Sequence, residues 1–370
     1  MRSVLMVSQP TVAGAAQCVA DWADGLRARG WRVAVACPGD GWLGRVAAEA
    51  GVEVFHWDAV HEPHRGLVGE FNQLSSILAD FRPDVVHLNG AKAGLVGRQV
   101  VRGRLPTAFS PHSWSTSAAD GIKSRAALLW ERAATRWTDV IISVSEGEAA
   151  EGRGLGIDGR YVVARNGVDV TTIAPLDPAT RHTERLRRGI DREHRVVVCV
   201  GRLHRQKGHD ILLSAWPTVA NGGRTLYLVG EGPLAAELRT AHRRADVVFT
   251  GGVERAEALL WMQVADLVVV PSRWEGMALV PLEALAVGTP LVITDVTGAS
   301  ETVTDDCGQV VPRHDPAALA AGMQDWLNRT PDQLAEARTA ARQRAVTSFA
   351  LSDTVDRISD TLTSICRTGD

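Results

Sequence analysis

The chain has 370 residues, longer than a single hydrophobic core usually grows, so two domains are expected. Hydrophobic residues make up 45% and charged residues 22%, which excludes a disordered or fibrous chain, and a net charge of −3 gives no case for a general nucleic-acid binder. The five cysteines (Cys18, Cys37, Cys199, Cys307, Cys366) lie far apart without a Cys-x-x-Cys pair, so neither a disulfide framework nor a zinc site is indicated, and buried, inert thiols are expected.

The first apolar run, from Arg2 to Val7, is too short for a signal-peptide core, and no later stretch reaches the roughly 18 apolar residues of a membrane span. A cytoplasmic protein is expected, with peripheral attachment at the inner face of the membrane left open. Short β-rich runs at 3–7, 32–36, 52–55, 84–88, 107–110 and 139–144 alternate with amphipathic stretches, the pattern of repeated βα units. Their almost unbroken apolar character predicts strands covered on both faces. Between the first two, Cys18, Val19, Trp22 and Leu26 recur at helical spacing over 15–28, and Gly30 supplies the stop. Strands at 195–200, 225–229, 246–249, 267–270 and 291–294 repeat the scheme.

Between 168 and 191, Asp177-Pro178 and a charged stretch at 181–188 interrupt the β-rich pattern. The predicted organisation is an N-terminal Rossmann-like domain at 1–170, a C-terminal one at 171–348, and a final helix at 349–370 that packs back on the first domain through Val355, Ile358, Leu362 and Ile365. The fold class is α/β, with two doubly wound domains facing each other across a cleft. Open parallel sheets bind ligands beyond the carboxyl ends of their strands, so the loops there are where chemistry is expected.

After the strand ending at Val270 comes Pro271-Ser272-Arg273-Trp274-Glu275-Gly276-Met277-Ala278-Leu279-Val280-Pro281-Leu282-Glu283, followed by Gly288-Thr289-Pro290. A strand, a Gly-containing loop and a helix start place free N–H groups and a positive helix end where an anion can sit. Glu275 in the loop and Glu283 in the helix, eight residues apart, can grip different parts of one elongated ligand, the first at sugar hydroxyls and the second at ribose hydroxyls. Taken singly, Glu275 reads as a helix-start charge and Glu283 as an ordinary surface helix residue.

A second loop, Gly201-Arg202-Leu203-His204-Arg205-Gln206-Lys207-Gly208-His209, follows the strand ending at Val200 and can aim Arg202 and Lys207 at a diphosphate. Only three of the forty basic residues are lysines, so a lysine at this slot stands out against the arginine bias. Gly14 follows the first strand where a small residue lets backbone approach a phosphate or sugar, and His112 sits in Ser110-Pro111-His112-Ser113 after a strand end.

These segments resemble the retaining glycosyltransferase family 4, the group 1 glycosyl transferases of GT-B fold. The match lies in the paired glutamates before a Gly-Thr-Pro strand entry, the Arg202/Lys207 loop, and Asn166-Gly167-Val168-Asp169, Gly230-Glu231-Gly232-Pro233 and Thr250-Gly251-Gly252-Val253. The resemblance implies transfer of a sugar, with retention, from a nucleotide diphosphate-sugar to a hydroxyl acceptor. Arg202 and Lys207 would neutralise the leaving diphosphate, assisted by the backbone of Glu275, Gly276, Met277, Ala278, Leu279 and Val280. His112 and Glu275 would orient the sugar, Glu283 would hold the ribose, Val253 would lie near the base, and Gly14 would approach the donor. UDP is the family's commonest donor nucleotide. The chain departs from the family pattern at Met277-Ala278, where Phe-Gly is usual, at Ala13-Gly14, where Gly-Gly is usual, and in the looser Gly298-Ala299-Ser300-Glu301.

No two aspartates are separated by a single residue, so the Asp-x-Asp metal site of the other major transferase fold is missing. No metal and no cofactor beyond the nucleotide sugar is expected. An epimerase or phosphorolytic enzyme of the same fold, or a non-catalytic nucleotide-sugar-binding protein, are the alternatives. Over residues 92–136, eight basic residues (Lys92, Arg98, Arg102, Arg104, Lys123, Arg125, Arg132, Arg136) face two acidic ones, Asp120 and Glu131. The patch is either a solvated helix face or an attraction for an anionic acceptor or lipid surface. Acceptor (small molecule, glycan or lipid) and oligomeric state are not legible.

Overall fold

The computed structural model describes residues 1–39, 41–60, 66–116 and 121–367. The chain divides into two compact units, Met1–Asn166 with Leu351–Asp370, and Gly167–Ala350.

In the first unit, strands β1 (Ser3–Ser8), β2 (Arg32–Cys37), β3 (Glu53–His56), β4 (Val85–Asn89), β5 (Thr107–Ser110), β6 (Val140–Ser143) and β7 (Tyr161–Val163) form a parallel sheet in the order β3-β2-β1-β4-β5-β6-β7. Every residue of β1, β4, β5 and β6 is buried, which is why their apolar runs are continuous rather than alternating. Strand order reverses between β1 and β4, where Ser8 pairs in register with Asn89, so the loops leaving these two strands diverge to helices Ala13–Ala28 and Ala91–Val101. The last helix, Leu351–Ile365, belongs to this unit and buries Val355, Ile358 and Leu362. Gly25 makes the approach feasible, since a Cβ there would stand 2.7 Å from the Val355 side chain. Trp31 Nε1 donates to Ser359 Oγ at 3.0 Å across the same contact.

The second unit repeats the architecture with β8 (Arg195–Val200), β9 (Arg224–Val229), β10 (Val247–Gly251), β11 (Leu267–Val270), β12 (Leu291–Thr294) and β13 (Gly308–Val311), in the order β10-β9-β8-β11-β12-β13. Two strands escape the sequence reading, β7 because it is three half-buried residues at the sheet edge, and β13 because it opens on Gly308. The charged stretch after Asp177 forms helix Pro178–Arg187, N-capped by Asp177, whose Arg181 and Arg185 bond Asp266 at 2.9 and 3.1 Å. Four cysteines are buried and Cys366 is partly exposed; burial pushes the Cys199 thiol up to about 12. No helix among the described residues is long and apolar enough to cross a membrane.

Candidate functional site

The loop after β8 and the loop after β11 meet. The turn Arg205–Lys207 ends at Gly208, whose φ is 65°, and a Cβ there would fall 2.0 Å from the Pro271 carbonyl oxygen, so only glycine lets the two loops close on each other. Arg273 N donates to Gln206 O at 2.7 Å, and the Arg273 guanidinium bonds Asp210 through both carboxylate oxygens at 2.8 and 2.6 Å. On this frame Lys207 Nζ lies 2.5 Å from Glu275 Oε1. Ser272 Oγ donates to the same oxygen at 2.8 Å, and Gln206 Nε2 donates to Glu275 Oε2 at 3.3 Å and to Trp274 O at 3.0 Å.

Helix Leu279–Ala286 begins immediately after this group. Its N-cap, Ala278, makes no side-chain bond to the first turn, whereas Asp177, Asp315 and Thr330 cap other helices of the unit. First-turn amides beside a lysine are the elements of an anion site. A small cavity against Glu275 is lined by Ala278, Pro281, Thr297 and Gly298.

The other expected residues distribute as follows. Arg202 is exposed and makes no hydrogen bond or ion pair among the described residues. Glu283 is buried and paired with Arg255, 2.8 Å away, a partner that sequence reasoning missed although Arg255 lies two residues after Val253. Val253 is exposed. A Cβ at Gly14 would meet nothing within 4 Å beyond its chain neighbours and its own helix backbone, so no close packing there requires glycine. Ala13, standing where the family has glycine, has φ 67°.

His112 lies after β5 in a backbone that L-residues rarely adopt, with φ 55°, followed by Ser113 at 103°. Its ring stacks on Trp22 at 5.2 Å between centroids, and its Nε2 is 3.2 Å from Asn89 Oδ1. Burial pushes the imidazole down to about 4. Ser113 N donates to Glu148 Oε1 at 2.6 Å and Val144 N to Glu148 Oε2 at 2.9 Å. Burial outweighs these two donors and pushes the Glu148 carboxyl up to about 7. Trp22, Asn89 and Glu148 had no sequence signal of this role; Trp22 reads there as a core residue of its helix.

The basic patch is smaller than its sequence suggests. Lys92 and Arg98 are buried, 2.9 Å from Glu70 and 2.7 Å from Glu131, because their partners arrive from other helices. Arg102, Arg104, Lys123, Arg125, Arg132 and Arg136 are exposed, and Asp120 lies outside the described residues.

Residues 194–329 match the family model "Glycosyl transferases group 1", and residues 13–167 match "Glycosyl transferase 4-like domain". The chain is 31% identical over 300 residues to D-inositol 3-phosphate glycosyltransferase 1 of Catenulispora acidiphila, covering 74% of this chain and 71% of the relative. It is 29% identical over 252 residues to the lipopolysaccharide core biosynthesis mannosyltransferase LpsB of Rhizobium meliloti, covering 64% and 69%. Its fold is similar to that of HepE of Anabaena, determined in complex with UDP and glucose, with a TM-score of 0.83, 22% identity, and coverage of 98% of this chain and all of the other. The chain therefore belongs to the group 1, family 4-like glycosyltransferases of GT-B fold, enzymes that move a sugar from a nucleotide-sugar donor.

Proposed function

We propose that the chain is a retaining hexosyltransferase that uses a UDP-sugar and a hydroxyl acceptor and needs no metal ion. The observation that carries this reading is the Lys207–Glu275 pair at the start of an uncapped helix. Lys207 and the amides of the Leu279–Ala286 first turn would balance the charge that grows on the diphosphate as the anomeric C–O bond breaks, work otherwise done by a divalent cation. Arg202, free at the surface, swings to the diphosphate when the donor arrives. Glu275 and His112 orient the sugar, Glu283 the ribose, while Gly14 gives the donor a close backbone approach and Val253 borders the base. The acceptor hydroxyl enters on the face the diphosphate leaves, and a phosphate oxygen takes its proton.

UDP is the choice of nucleotide because HepE, of the same fold, was determined with it. A thermal-shift screen of nucleotide sugars, followed by mass spectrometry of acceptor mixtures, tests donor and acceptor together. Full activity in excess chelator is expected, and its loss there would remove the metal-free part of the reading. Interconversion of donor sugars without transfer would favour the epimerase alternative, and donor binding without turnover the non-catalytic one.

A peripheral lipid surface is favoured by one observation. Helix Gly121–Ala134 exposes Ile122 and Leu129 beside Lys123, Arg125 and Arg132, the mixture of apolar and cationic side chains that anionic bilayers attract. Flotation with anionic vesicles is expected to carry wild type, and the Ile122→Ser/Leu129→Ser variant much less.

A further inference from the structure

We propose that Asn89 and Trp22 are positioning residues that fix His112 as the Nε2–H tautomer, leaving Nδ1 as the acceptor offered to a sugar hydroxyl. The inference rests on the reading above, in which His112 meets the donor sugar, and adds which nitrogen does so and what holds it.

Asn89 ends β4 and is buried. Its Nδ2 donates to the His87 carbonyl at 3.1 Å, which fixes the direction of the amide. Oδ1 is therefore the atom turned to His112 Nε2, 3.2 Å away, and an oxygen there can only accept. Nε2 must carry the hydrogen. Among the described residues nothing bonds Nδ1, and a neutral imidazole protonated at Nε2 has its lone pair there.

Trp22 supplies the second constraint. It is 1% exposed, and its indole stacks on His112 (5.2 Å, 23° between planes) and on His87 (5.7 Å, 4°). Flat contact prevents the ring from turning over and exchanging its two nitrogens. The backbone beneath is held in its left-handed form from the other side, where Ser113 N and Trp114 Nε1 donate to Glu148 at 2.6 and 2.9 Å. The titratable groups packed around His112 are His87 on β4 and Glu148 on helix Glu146–Gly154. His87 is itself driven by burial to about 3 and adds no charge near neutrality.

Protein labelled with ¹⁵N-histidine, with the His112 signals assigned by their loss in His112→Gln, reads the tautomer directly. A protonated-type Nε2 and a lone-pair-type Nδ1, unchanged from pH 6 to 8, are expected. The opposite pattern, or a ring that gains a proton in that window, overturns the inference. Asn89→Ala is expected to mix the tautomers and lower turnover. Asn89→Asp restores an acceptor but places a carboxylate beside the ring, raising its pKa. Relative to wild type, which cancels the titration of Glu148, its turnover should lie within about threefold at pH 8 and fall about tenfold further at pH 6. Pure Nε2–H in Asn89→Ala, or an Asn89→Asp profile parallel to wild type, overturns the positioning role. Wild-type turnover in His112→Ala would instead remove the sugar-orienting reading, a failure distinguishable because the spectrum of the unmutated protein stays as expected.

Discussion

Lys207 Nζ and Glu275 Oε1, 68 residues apart in sequence, stand 2.5 Å apart in the fold, so a cation suited to phosphate and a carboxylate suited to hydroxyls form one polar unit. The pair is mostly buried, and Ser272 and Gln206 add donors to the carboxylate. Lys207→Met is expected to lower kcat by about 100-fold or more while the chain stays folded, because Glu275 keeps its two neutral donors. Lys207→Arg should not restore wild-type turnover, since a planar fork does not replace a compact ammonium. Steady-state rates beside circular dichroism check both; near-normal rates in Lys207→Met would remove the clamp.

Glu283 and Arg255 form a separate pair at 2.8 Å. If Glu283 grips ribose, Glu283→Ala should raise the donor KM by about tenfold and change kcat less, the mark of uniform binding energy. Arg255→Ala leaves a buried carboxylate without its cation, and a lower melting temperature that nucleotide partly restores is expected. A kcat effect alone in Glu283→Ala would contradict the ribose assignment.

Ala13 carries the left-handed φ of 67° that favours glycine. Ala13→Gly should relieve about 1 kcal/mol of strain and raise the melting temperature by a few degrees. A fall would mean that the lost backbone restriction outweighs the strain. At Gly14 the expectation reverses: the Cβ of Gly14→Ala would meet nothing within 4 Å beyond its own chain neighbours and helix backbone, so folding should survive while donor affinity drops.

His209 is 1% exposed, neither ring nitrogen has a hydrogen-bond partner among the described residues, and burial pushes it down to about 4, as it does His112. Both stay neutral in the fold while the unfolded chain takes protons below about 6.5. Their contribution is present above pH 6.5 and lost as pH falls towards 4. The urea midpoint should therefore drop from pH 7 to pH 5, and His209→Leu should shrink that drop and raise the pH 7 midpoint. Glu148 acts in the opposite sense: its carboxyl is raised to about 7, so its contribution is present below about 4.5 and lost as pH rises through 7. An unchanged pH slope in His209→Leu would refute its part in this linkage.

The sheets were legible because buried parallel strands such as Arg195–Val200 and Leu267–Val270 carry valine-rich apolar runs between turn residues. The Glu275 and Lys207 loops were legible as segments because a strand, a glycine-containing loop and a helix start form a local pattern, and local patterns survive in sequence. What was not legible depends on partners from elsewhere in the chain. Arg255 for Glu283, Trp22 and Asn89 for His112, and the glutamates that bury Lys92 and Arg98 all lie on different elements. Charge counted along the chain cannot show that two of eight cations point inward.

Calorimetric binding of UDP and of uridine to wild type and to Lys207→Met tests the diphosphate clamp most directly. Wild type should bind UDP at least about 100-fold more tightly than uridine, a difference of about 2.7 kcal/mol, and Lys207→Met should lose most of that preference while keeping its affinity for uridine. Equal preference in the two proteins would contradict the account.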